Sequence, residues 1–198
     1  MISMKTITFS LCILVCLVAF NASVFAQENF VAHIVEFEVA NKAKDRVSFT
    51  DAFSLNPIQS LQDFRKTLEK GQQLKAIRIL LEKSAVAESG EKVSLVPLEM
   101  LDLKTKKGMV AQVPSLLAEV TPHLLDADGQ AKRVQSTLHF ERNVIDKSIP
   151  AGDLYIVTDT RSYKTSITSA FDQVTVLGGG RTPKEDNHYL AIYFTAVK

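Results

Sequence analysis

Between Arg133 and Arg142, apolar and polar side chains alternate without a break. Val134, Ser136, Leu138 and Phe140 fall on one side, and Arg133, Gln135, Thr137, His139 and Glu141 on the other. A period of two is that of an extended strand, and one wet face marks a sheet covered on a single side. Residues 30–39 are β-branched, alternate in their second half, and put Val31, Val35, Phe37 and Val39 on one face. Glu36 and Glu38 then share a face at i, i+2. That spacing fits acid–base work, but it is commoner on the solvated side of an edge strand.

A helical period stands out once. Ile58, Leu61, Phe64 and Leu68 recur at three- and four-residue spacing. They predict a helix over 57–70 with Asn56 as cap, Pro57 in the first turn and Gly71 as the stop. Asp63 near its start and Lys70 near its end suit the helix dipole. Residues 41–56 read as a loop or irregular edge. Residues 74–81, 92–96 and 99–104 read as strands, with turns at 88–91 and 106–108. The extended stretch 109–125 contains Pro114 and Pro122, which remove ladder donors and predict a bend away from the sheet centre. Asp126-Ala-Asp-Gly129 reads as a hairpin turn. Residues 154–158, 163–169, 173–177 and 188–197 read as further strands, with 178–187 a loop. Many short strands, one main helix and no βαβ alternation predict a β-dominated α+β fold with mostly antiparallel sheets.

The amino terminus changes the picture of location. Lys5 is the only charged residue before Gln27, an apolar run follows from Leu11 to Phe20, and Val24-Phe25-Ala26 precedes a polar stretch. These are the parts of a cleavable secretory signal over residues 1–26, leaving one domain over 27–198. A run of about ten apolar residues is short for a bilayer span of about 20, which argues against the rival reading of an uncleaved anchor. Cys12 and Cys16 lie in this segment and follow Leu11 and Val15, not the small residues that a lipidated cysteine requires. They leave with the signal, so the mature chain has no thiol chemistry and no disulfide. Its basic residues fall from 23 to 22 and equal the acidic ones. With no clustered basic face either, nucleic acid is not an expected partner.

Candidate chemistry is sparse. His33, His123, His139 and His188 are scattered with no ligand spacing between them. Asp126, Asp128 and Gly129 open like a calcium loop but lack the later acid and the closing glutamate. Gly178, Gly179, Gly180 and Arg181 follow a strand but lack the Lys-Ser/Thr and the helix of a phosphate cradle. No serine lies in a G-x-S-x-G elbow. No cofactor, metal or catalytic residue is therefore assigned, and the chain is not read as an enzyme. The loops 126–130 and 178–187, with Asp126, Asp128, Gly129, Gly178, Gly179, Gly180 and Arg181, stand as candidate binding loops.

Ala111-Gln-Val-Pro114 through Val120-Thr-Pro-His-Leu-Leu125 is followed by Asp128-Gly129 and the alternating strand, and then by residues 163–168 and Gln173-Val-Thr-Val-Leu-Gly-Gly179. This order of motifs resembles bacterial secretins, the core domain of type II/III secretion. The first passage is similar to that family's "x-V-T-P-x-I … D-G-x-V-x-L" and the second to its "T-x-V … G-Q-T-V-V-L-G-G-L". The opening strand, and the helix with the strand after it, match in place. The resemblance implies the β-rich core of a ring-forming outer-membrane channel. It departs at Gly180, where the family has Leu, in lacking the family's amino-terminal periplasmic domains, and in showing no strands suited to a barrel wall. The expectation is therefore an exported, envelope-associated module that self-associates or docks on an envelope protein, not a complete channel. The alternative is a secreted β-rich ligand-binding or inhibitor module whose loops form the binding surface.

Overall fold

The computed structural model describes residues 29–40, 46–55, 57–104, 110–125, 132–145, 157–178 and 186–197. The predicted signal segment lies outside the described residues. In chain order the elements are β1 (Phe30–Val39), α1 (Arg46–Ser54), β2 (Ile58–Ser60), α2 (Leu61–Gln73), β3 (Ile77–Ala87), β4 (Val93–Ser94), β5 (Glu99–Lys104), β6 (Val110–Leu125), β7 (Arg133–Ile145), β8 (Val157–Ala170), β9 (Gln173–Gly178) and β10 (Asn187–Ala196). One sheet has the order β2-β9-β10-β1-β3; the other runs β4-β6-β7-β8, with β5 also on β6. All the pairings are antiparallel. The β-dominated α+β expectation is borne out.

Two apolar layers hold these elements together. Phe30, Ala32, Ile34, Leu190, Ile192 and Phe194 of the first sheet meet Ala118, Val120, Val134, Leu138, Phe140 and Ile167 of the second. The opposite face of the first sheet, with Val35, Phe37, Val39, Val176 and Tyr189, is covered by Phe49 and Phe53 of α1 and by Phe64 and Leu68 of α2. The second sheet keeps its outer face wet, as the alternation in 133–142 predicts: Gln135 and Thr137 of β7 are exposed, as are Lys164, Ser166 and Thr168 of β8.

Several local expectations are corrected. The main helix starts later, because Ser60 is its cap: the Oγ accepts from the Asp63 amide at 3.1 Å and donates to Asp63 Oδ2 at 2.7 Å. Ile58 sits in β2 against β9, so the helix does not begin at Pro57, and the expected cap Asn56 lies outside the described residues. Gly71 does not stop it either. A Cβ there would run into the Ile77 side chain, so the glycine lets α2 lie close on β3. The stop falls at Lys75, which takes the left-handed conformation (φ 54°) often given to glycine, while the amides of Leu74, Lys75 and Ala76 close on the last turn. Residues 46–54, read as loop, form α1, anchored by Phe49 and Phe53 one turn apart.

The long β6 does not leave the sheet. Pro122 faces away from the β7 ladder, with its carbonyl accepting from the Gly90 amide at 2.6 Å, so its missing N–H costs that ladder nothing. Pro114 sits at a register shift against β5, where Glu99 pairs with Leu116 and Met100 with Pro114. Residues 157–158 and 163–169, expected in two separate strands, belong to one strand, β8, and residues 154–156 lie outside the described residues.

Candidate functional site

The largest correction concerns Glu36 and Glu38. Strand β1 lies between β10 and β3, so it is not an edge, and both carboxylates are buried, at 0% and 4% exposure. Their side chains point toward the second sheet, on the face that carries Phe30, Ala32 and Ile34. A carboxylate buried there stays charged only if it is paired and hydrogen-bonded; otherwise it takes up a proton. Arg142 of β7 reaches across with Nε donating to Glu36 Oε1 at 2.8 Å and to Oε2 at 2.7 Å, and a further nitrogen also donates to Oε2. His188 of β10 places Nε2 2.8 Å from Glu36 Oε1, and its Nδ1 is 3.0 Å from the Tyr163 hydroxyl on β8. The neutral tautomer that satisfies both contacts has Nε2–H donating to the carboxylate and Nδ1 accepting from the phenol. Glu38 continues the network, receiving Arg78 of β3 at 2.5 Å and Arg161 of β8 at 2.8 Å.

Five strands from two sheets thus converge on two carboxylates. Burial alone would push both carboxyls up. Hydrogen bonds from His188 and Arg142 at Glu36, and from Arg78 and Arg161 at Glu38, together with the cations' charge, more than offset this and hold both below the ordinary 4.5. A carboxyl depressed on folding contributes stability above its unfolded value and loses it as pH falls through the folded one. Urea midpoints are therefore expected to decline below about pH 4.5 through these groups, and Glu36→Gln should flatten that part of the profile. A decline of unchanged slope in the variant would contradict it. His33 adds a separate contribution at higher pH. Burial and Arg65 lower it from 6.5, so protonation opposes folding as pH drops below that value.

The loop residues singled out in the sequence fare unequally. Gly178 ends β9 with φ 107°, and a Cβ there would lie 2.5 Å from the His188 carbonyl and 2.7 Å from the Tyr163 hydroxyl. Its lack of a side chain is what allows Tyr163 and His188 to meet. Gly179, Gly180 and Arg181 lie outside the described residues, as do Asp126, Asp128 and Gly129. Sequence reasoning gave Arg142 and Tyr163 no role in a site, paired Glu36 only with Glu38, and left His188 as one of four scattered histidines. The available signal was a pair of acids inside an otherwise apolar strand. Among the described residues no cluster of three or more His, Cys, Asp or Glu can hold a metal ion. Among them, too, no helix is long and apolar enough to cross a membrane.

No protein-family model matches the chain, and no curated protein matches it. Solved structures do. The type II secretion system secretin GspD of Escherichia coli K12 matches with a TM-score of 0.56 at 12% identity over 96% of this chain and 54% of that one. The secretin XcpQ of Pseudomonas aeruginosa matches with a TM-score of 0.54 at 14% identity over 95% and 63%. GspD from the ETEC pilotin–secretin complex AspS–GspD matches with a TM-score of 0.50 at 14% identity over 99% and 54%. The chain spans about half to two thirds of the length of these structures. The motif order read from the sequence and the arrangement of both sheets agree: the chain has the fold of the type II secretion secretins.

Proposed function

We propose that this chain is exported through residues 1–26 and works in the cell envelope as a secretin-like binding or assembly domain over residues 27–198, without catalysis. The observation that carries the reading is the fold match over nearly the whole chain to secretion-system components. The sheet edges support it. Among the described residues neither β3 nor β8 has a strand on its outer side, and both are long, at 11 and 14 residues. Such edges present backbone donors and acceptors to another chain. Val86 of β3 adds an exposed apolar side chain, as Leu98 and Met100 do at β5. GspD of ETEC is seen in complex with the pilotin AspS, and an envelope accessory of that kind, or a second copy of this chain, is the partner class we assign.

Expression of the full chain in a bacterium with two membranes, followed by fractionation and amine cross-linking, tests this. The expected product lacks residues 1–26, sits in the envelope fraction and cross-links above monomer mass. Unprocessed protein in the cytoplasm, or processed protein that never cross-links, would overturn the reading.

A further inference from the structure

We infer that His33 is a proton-sensitive contact that sets how firmly α2 is held on the first sheet. The contact runs through Tyr193 of β10, which is at 2% exposure and belongs to the apolar layer beneath the helices. The His33 ring of β1 stacks on it, with centroids 4.5 Å apart at 7°. His33 Nε2 lies 2.9 Å from the Thr195 hydroxyl, a contact that holds the imidazole in this stack. Two consecutive residues of α2 meet the same tyrosine. The Phe64 ring lies 6.5 Å away, and Arg65 donates to the Tyr193 hydroxyl. One phenol therefore joins the imidazole of a central strand to the guanidinium of the helix.

Protonation of His33 places a second cation beside Arg65 in a half-buried position. The charged groups facing the imidazole are Arg65 from α2, Glu82 from β3 and Asp172 from the β8–β9 turn, while Glu69 of α2 faces Arg65. The two acids Glu82 and Asp172 favour the imidazolium. Burial first and Arg65 second outweigh them and hold the imidazole below its ordinary 6.5. The protonated ring is thus disfavoured while the cluster is closed, and less so once Arg65 withdraws. As pH falls below 6.5 the closed arrangement therefore loses stability. His33 sits on a strand paired on both sides, whereas Arg65 is exposed, so the helix is the partner that gives way. Its loosening uncovers Phe37 and Tyr193, which Phe64 covers.

The test is amide hydrogen exchange of the chain produced without residues 1–26, followed peptide by peptide and corrected for the intrinsic effect of pH. Protection across α2 should be at least about fivefold lower at about pH 5 than at about pH 7.5, the lower end of ordinary coupling between two sites. The central strands β1, β7 and β10 should keep theirs. In His33→Gln, whose amide still hydrogen-bonds Thr195 but takes up no proton, α2 should be equally protected at both values. If that variant does not fold, Arg65→Gln supplies the second measurement. Removal of the facing cation should raise the pKa of His33, read from its imidazole proton resonances. An α2 whose protection is the same at both pH values, falls equally in His33→Gln or falls no more than that of the sheets overturns the inference, as does a His33 titration unmoved by Arg65→Gln.

Discussion

Replacing Arg142 with leucine is expected to cost about 3–5 kcal/mol of folding stability, because it leaves a buried carboxylate without its main partner. Glu36 is at 0% exposure, and after the substitution His188 would be its remaining hydrogen-bond partner among the described residues. The double variant Glu36→Leu/Arg142→Leu should recover much of that loss, since an apolar pair of similar size needs no compensation. Arg78→Leu supplies the contrast. Its side chain is 71% exposed where it meets Glu38, and Arg161 also holds that carboxylate. Water and salt screen such a contact, so the loss should stay near 1 kcal/mol or below. Urea denaturation of the four proteins at pH 7 gives the comparison. A loss of under about 1 kcal/mol for Arg142→Leu would place that pair with exposed ones, against the arrangement described.

The second large effect is expected at Phe37. Its ring meets Phe53 of α1 at 4.8 Å, Tyr189 of β10 at 5.3 Å and Phe64 of α2 at 6.0 Å, so one side chain ties both helices to the first sheet. Phe37→Ala removes that contact and leaves a cavity, for a loss of about 3–5 kcal/mol. Phe37→Leu keeps most of the volume and should cost under about 1.5 kcal/mol. Denaturation midpoints test the order. Near-equal losses for the two would show that cavity formation is not what the site feels.

What the sequence reveals depends on how many faces of an element are covered. Strand β7 packs on one side only, so Val134, Leu138 and Phe140 contrast with exposed Gln135 and Thr137, and it was legible at once. Strand β1 is covered on both sides. Its acids read as wet because nothing local marks their partners, which lie 106 residues away at Arg142 and 152 away at His188. Helix α1 rests on Phe49 and Phe53 within nine residues, too short a stripe to set against the threonine and serines beside it. The cap of α2 was misplaced because Asn56-Pro57 looks like a start, yet the three residues 58–60 are drawn into the sheet by β9. The secretin-like order was legible through the spacing of Thr-Pro, Asp-Gly and Gly-Gly motifs between strands. The Tyr163–His188–Glu36 series was not, since strand register alone brings those residues together.

The mass of the chain produced without residues 1–26, by light scattering across a concentration series, is the most direct test of the proposed assembly role. A defined oligomer that persists on dilution is the result expected of a secretin-like domain with open strand edges. A monomer at every concentration, with no envelope partner retained on the immobilised chain, would contradict it.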